Sequence, residues 1–418
     1  MASKAAFTGL LGFLAFDIVA AQLASPCSPN LPNVACVNKY AAVMPLPFAR
    51  PTSPPTSGNS ALNDTFSGTV VPDPSFNIVK NSTFIVFDRE RGLPALGPSP
   101  SFELVFTTAE VVHEAPVYVP GLNAIIVSQY NKDVLAQQII NLNNTPPTIS
   151  PFLPSPPVFA VNGGRLFNGT LYWAVAGGDA TFNGTKLLQA PGIYAINPWT
   201  RESKPVLNNY FGQRFNSPDD LVVDSAGDIF FTDPIYAIAL NVTQFQPVLP
   251  MQTYRFRPST GAVSVIESEV GVPNGIALSP DEKILYISDT AVTKFGDQTA
   301  STIPRYFYSP TQGRSVWAFD TVETPAGKIL ANKRVIFTPD EFAEDGLHVA
   351  RNGLLIGAAG TSVDVLSPYG ELILKVHAGF TVINVQFAGK EFDELWLFGI
   401  GKIARVKWAL KGLEGGRS

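Results

Sequence analysis

The chain has 418 residues, 45% of them hydrophobic, so it can fill a large core; only 15% are charged, below the roughly one quarter usual in soluble domains. A formal net charge of −5 with no run of Lys or Arg argues against nucleic acid as a partner, which would need a concentrated basic face. The 34 Gly and 36 Pro are spread along the length, which suits many short strands joined by turns.

Residues 1–21 read as a secretory signal peptide. Lys4 gives a positive start, Ala5 to Phe16 is almost wholly apolar, and Ala20-Ala21 stand before a cut near Gln22. Asp17 interrupts the apolar stretch, and the competing reading is an uncleaved anchor. No later segment is apolar for long enough to span a bilayer, so the mature chain is expected to be secreted and free of the membrane. Cys27 and Cys36, an even pair just past the signal, are expected to form a disulfide. Asn63, Asn81, Asn143, Asn168, Asn183 and Asn241 each open an acceptor sequon for glycosylation. Residues 22–98 are Pro-rich and read as an irregular extension, wrapped on the surface or partly disordered; Phe84-Ile85-Val86-Phe87 is the exception.

Over residues 99–411 a unit recurs: a polar or Gly-containing start, a β-rich run, a Gly/Asp/Asn turn, and a second β-rich run. Units start at His113, Asn162, Ser217, Pro273, Glu344 and Asn384. Turns such as Asp224-Ser225-Ala226-Gly227 and Ala350-Arg351-Asn352-Gly353 have hairpin chemistry. This spacing and the scarcity of helical periodicity predict an all-β fold, a six-bladed β-propeller behind the irregular N-terminal extension. A β-sandwich is the rival architecture, but it does not explain a recurring motif.

Five of these units begin with an oxygen-bearing side chain: Glu114, Asn162, Asp219, Asn274 and Asp345. In a propeller, equivalent positions of successive blades sit at equal distance from the axis, so these residues are expected to converge. Carboxylate and amide oxygens suit a hard cation such as calcium. Pro218 and Pro273 restrict the backbone just before two of them, and Gly275 and Gly346 allow close backbone approach just after two. Singly, an Asp or Asn before Gly is an ordinary turn residue; recurrence is what separates these. His113, adjacent to Glu114, would point the other way in a regular strand and reads as structural. His348 and Arg214 are candidate substrate contacts, as is Asn162. Asp220, Asp233 and Asp289, beside strand ends, read as anchors for the blades.

The run PNGIALSPDEKILYISDT from Pro273 resembles the fourth-blade signature of the gluconolactonase and senescence-marker-protein (regucalcin) family. SPDDLVVDSAGDIFFTDP resembles its third-blade signature, and HEAPVY and EDGLHV resemble its first- and fifth-blade segments. The secreted form with a long N-terminal extension resembles the fungal lactonohydrolases of that family. The resemblance implies one divalent metal bound by Glu114, Asn274 and Asp345, with Asp219 where the family usually has Asn. Calcium comes first; zinc, magnesium and manganese are alternatives. The extra carboxylate of Asp219 would tighten binding of a hard cation, or supply a base.

The activity so implied is a metal-dependent lactonase, a hydrolase of carboxylic esters opening a small cyclic ester to its hydroxy acid. Asp345 is the first choice of general base and Asp219 the second. The alternatives are a strictosidine-synthase-like or other propeller enzyme of secondary metabolism, and a non-catalytic ligand-binding propeller. No Gly-X-Ser-X-Gly elbow, zincin His pair or phosphate-binding Gly loop is present. Residues 291–315 read as a long insertion able to lid the pocket.

Overall fold

Runs dense in Val, Ile, Phe and Tyr are cut at short intervals by residues that reverse the chain, and each run becomes one strand of an antiparallel sheet. The turn at Asp224–Gly227 is typical. Asp224 Oδ1 accepts from the backbone N–H groups of Ala226 (3.0 Å) and Asp228 (2.9 Å), and Gly227 takes a φ of 87° that a side chain would resist. The computed structural model describes residues 22–50, 65–109, 112–131, 133–295, 306–309 and 311–413. The expected signal peptide, the sequon at Asn63 and part of the 291–315 insertion lie outside the described residues.

The fold is an all-β propeller. Among the described residues five sheets have four strands each, ordered from the axis outward. Their innermost strands are Glu114–Val119, Val161–Phe167, Leu221–Val223, Pro273–Leu278 and Val382–Ala388. The last of these sheets closes the circle: its outer strand, Ser101–Thr107, comes from the start of the repeat region and pairs antiparallel with Lys402–Lys407. Here the expected six-bladed propeller is corrected: five four-stranded sheets make the blades, and the remaining repeat unit does not form a like blade of its own. The unit beginning at Glu344 is part of a seven-stranded sheet, in which Glu344–Val349, Leu355–Ala359, Ser362–Leu366 and Leu372–His377 are continued by Phe84–Val86, Val34–Val37 and Ala24–Pro26.

The physical reason lies at the sheet's edge. Leu372–His377 would otherwise present unpaired backbone groups, and Phe84–Val86 takes them up in antiparallel register, with Lys375 opposite Ile85. Those added strands are three or four residues long, too short to show a period. The extension is therefore packed rather than loose where it is described. Val37, Phe76, Val79 and Ile85 form a buried cluster of their own, and the Cys27–Cys36 disulfide is formed.

The main apolar cores lie between neighbouring sheets rather than on the axis. Val117, Phe152 and Trp173 join the first two sheets, and Tyr118, Trp396 and Phe398 join the last to the first. Interiors so packed hold the sheets at fixed angles, which is what allows inner-strand residues from separate sheets to share one site. Outside the ring, the described sequons Asn81, Asn143, Asn168, Asn183 and Asn241 are all exposed. No helix among the described residues is long and apolar enough to cross a membrane.

Candidate functional site

A cavity of about 440 Å³ opens where the innermost strands begin, and Glu114, Asn162, Asp219, Asn274 and Asp345 all line it. Glu114, Asn162, Asn274 and Asp345 lie on strands of four different sheets, and Asp219 stands two residues before the strand Leu221–Val223 of a fifth. Three of them sit at breaks in strand register. Pairing shifts between Glu114 and Val117, between Pro273 and Ile276, and between Glu344 and Leu347. Such bulges re-aim a side chain out of strict alternation, and here they turn Asn274 and Asp345 toward the cavity.

The sheets are tied together at this level by side-chain hydroxyls. Thr232 Oγ1 donates to the carbonyl of Asn274 at 2.7 Å, and Ser288 Oγ donates to the carbonyl of Asp345 at 3.2 Å. The glycines that follow Asn162 and Asn274 make room for the next sheet. A Cβ on Gly163 would lie 2.3 Å from the carbonyl oxygen of Asp219, and one on Gly275 would lie 2.1 Å from that of Asp345. The recurrent Asn-Gly is thus a packing requirement. Gly275→Ala is expected to force the two inner strands apart, lowering the thermal midpoint by an amount equivalent to about 1–3 kcal/mol and displacing Asp345 from the site. Circular dichroism melts with parallel activity assays check this; an unshifted midpoint with full activity would refute the close packing.

Charge is concentrated and poorly compensated. Burial, then the carboxylates of Glu114, Asp345, Asp220 and Asp233, push the Asp219 carboxyl well above the usual range. Burial and then Glu114 and Asp220 do the same to Asp345, partly offset by a hydrogen bond to the Asn274 side chain. Asn162 Nδ2 donates a short hydrogen bond to Asp219 Oδ1. Asp219 Oδ2 is buried with no hydrogen-bond partner among the described residues. Such an orphaned carboxylate oxygen is costly unless a proton or cation meets it.

Among the described residues no three His, Cys, Asp or Glu side chains close into a cage alone. The donors gathered here are mixed, carboxylate with amide, and a hard divalent cation favours such an all-oxygen set. The orphaned Asp219 oxygen and the clustered acids fit that group.

Other expectations are met or missed for local reasons. Asp233 accepts from the N–H groups of Asn216 and Ser217, Asp289 from those of Val272 and Ala291, and Asp220 from those of Leu221 and Ile276. All three anchor loops or strands, as read from the sequence. Arg214 and His348 are corrected: neither lines the cavity. Arg214 is exposed and stacks on the Phe245 ring at 4.6 Å. His348 is fully buried, because it follows the bulge and faces into the protein from a regular stretch of strand. His113 is also corrected. It precedes the strand, so alternation does not govern it; it lines the cavity with Nδ1 3.1 Å from Glu114 Oε1.

Sequence reasoning missed Tyr130 and Tyr236. Both line the cavity and lie outside the recurring motif, on loops or short helical turns. The Tyr130 hydroxyl is 3.2 Å from Ser217 Oγ, and that of Tyr236 is 2.5 Å from Thr290 Oγ1. Burial raises both phenol pKa values above the usual one, keeping them protonated donors. Arg165 was missed too. It is buried on an innermost strand, donates to the Leu347 carbonyl at 3.1 Å and stands 3.8 Å from Asp220. Thr293, in the insertion, reaches the cavity wall.

Comparison with known proteins accords with this architecture. Residues 114–299 match the family model described as the SMP-30/Gluconolactonase/LRE-like region. The chain is 38% identical over 396 residues to Lactonohydrolase oryL of Aspergillus oryzae, covering 93% of this chain and 88% of that one. In fold it resembles a gluconolactonase from Xanthomonas campestris (TM-score 0.59, 20% identity, 75% of this chain and 91% of that one). It also resembles a calcium-binding regucalcin from Agrobacterium tumefaciens (TM-score 0.55, 14% identity, 75% and 95%). With a propeller scaffold, a cavity lined by the recurring oxygen donors, and these relatives together, the chain belongs to the SMP-30/gluconolactonase/LRE-like family, on its lactonohydrolase side.

Proposed function

We propose that this protein hydrolyses a small lactone to its hydroxy acid and holds one divalent cation, calcium first, through Glu114, Asn274 and Asp345, with Asp219 beside them. The observation that carries this reading is the meeting of these four residues on one cavity wall, three from strands of separate sheets and Asp219 from just before the strand of a fourth. The relative named a lactonohydrolase supports the reaction class. A cation bound there would supply positive charge against the carbonyl oxygen as negative charge develops on it.

The chain's own groups do the rest. Asp345, partly exposed on the cavity wall, takes a proton from water as the water oxygen attacks the lactone carbonyl carbon. The ring C–O bond then breaks, and the departing alkoxide receives that proton, giving the hydroxy acid. Asp219 is less free to act as base, since it is more deeply buried than Asp345 and one of its oxygens already accepts from Asn162. The phenol of Tyr236, held against Thr290, stands at a fixed place on the wall from which it can position the substrate. Tyr236→Phe is expected to lower kcat about tenfold with little change in fold stability, measured by initial rates and thermal melts.

The decisive experiment is acid release at constant pH from a lactone panel, with the secreted protein loaded with calcium and then treated with chelator. Turnover is expected with calcium, a loss of at least about tenfold on chelation, and recovery when calcium is restored. A folded, calcium-loaded protein that opens no lactone would leave the ligand-binding propeller as the better reading.

A further inference from the structure

The cavity has two chemically different parts. Its floor is the oxygen cluster of Glu114, Asn162, Asp219, Asn274 and Asp345. The rest of its lining has an aliphatic and aromatic part, Leu240, Val242, Phe342, Ile383 and Ile400, and a part that can hydrogen-bond, Gln129, Tyr130, Asn131, Tyr236 and Thr293. Among the described lining residues there is no Lys or Arg, and the single basic side chain, His113, is already engaged with Glu114.

Two of the apolar residues stand where polar ones are the default. Ile400 occupies the tight turn between strands Glu394–Gly399 and Lys402–Lys407, just before Gly401 at a φ of 70°, and keeps 40% of its surface exposed. Leu240 ends the short helix Tyr236–Ala239 and is 43% exposed. Turns favour Gly, Asn, Asp and Ser, so large apolar side chains left in water at a cavity mouth point to a ligand that covers them. Ile383 adds to the same wall from a register shift between Val382 and Asn384.

We propose that the cavity takes a neutral lactone carrying an apolar chain or ring, with the ester group on the oxygen floor and the substituent against Leu240, Ile383 and Ile400. This rests on the lactone-hydrolase reading above. A polyhydroxylated sugar lactone seated this way would bring hydroxyl groups against Leu240, Ile383 and Ile400, which offer no side-chain donor or acceptor, and burying them unpaired is costly. An alkyl or aryl substituent gains from the same wall in proportion to the area it covers. The acidic floor also disfavours a substrate that carries a carboxylate or phosphate before ring opening.

The test uses the calcium-loaded protein and two probes: a pentyl-substituted δ-lactone and glucono-δ-lactone. kcat/KM is measured by acid release, and binding of the corresponding unreactive lactams by calorimetry. The alkyl probe is expected to win by at least about tenfold in both. The double variant Leu240→Asn/Ile400→Asn is expected to bring that ratio close to one. A sugar-lactone preference, or a ratio unmoved by the double variant, overturns the inference and leaves lactone hydrolysis standing. Preferential binding of the alkyl lactam with neither lactone opened supports the cavity assignment and removes the hydrolase reading instead.

Discussion

Asp345→Ala is expected to lower kcat/KM for lactone opening by about 1,000-fold or more while leaving a folded protein. Two functions are lost at one position. The most exposed carboxylate of the cluster disappears, and with it the proton acceptor. One of the oxygen donors facing Glu114 and Asn274 disappears as well, so the rise in thermal midpoint on adding calcium should also vanish. Asp345→Asn separates the two roles. It keeps an oxygen donor and loses the base, so it should lose turnover as fully as the alanine variant yet retain part of the calcium-dependent rise. Full turnover in Asp345→Asn would shift the base to Asp219, whose Oδ2 lacks a hydrogen-bond partner among the described residues. The paired readout matters, because loss of activity alone would not distinguish a missing base from a missing ligand.

How much of this was legible in advance depended on whether a residue belonged to the repeat. Glu114, Asn162, Asp219, Asn274 and Asp345 recur at one place in successive units, and a ring turns that recurrence into proximity. The glycine after Asn274 was legible for the same reason, and its close approach to the Asp345 carbonyl gives the motif its cause. His113 was misjudged because strand alternation was applied one residue before the strand starts. Arg214 was a candidate by its place in the sequence alone, which says nothing about side-chain direction. Tyr130, Tyr236 and the apolar mouth come from inter-strand connections, whose course the repeat does not encode. The seven-stranded sheet was hidden for a different reason: strands of three or four residues, supplied from outside the repeat, carry no period to detect.

That seven-stranded sheet also holds the residue whose loss should cost most stability. Lys375 is fully buried, and its Nζ lies 2.6 Å from Asp364 Oδ1, 2.7 Å from Asp340 Oδ1, 3.0 Å from Ser362 Oγ and 3.5 Å from Glu341 Oε1. It faces three acids, of which Asp340 also pairs with Arg50 at 3.3 Å. Burial outweighs the lowering pull of Lys375, so the Asp364 carboxyl is pushed up to about 7. Lys375→Met keeps the volume and removes the charge, stranding those carboxylates in the interior. The expected destabilisation is about 3–5 kcal/mol, read from denaturant or thermal unfolding. Its pH dependence follows from the sign of the change. Without Lys375 the folded-state pKa of Asp364 rises further above its unfolded value, so the folded variant binds a proton that the unfolded chain releases. The variant's deficit should therefore be smallest at pH 5, where the buried acids can protonate, and should grow toward pH 8. A second change, Asp364→Asn, removes one stranded charge and is expected to recover part of the loss at pH 8, with little added benefit at pH 5. A deficit independent of pH would instead mean that Lys375 acts through packing alone, and that the buried acids are already neutral around it.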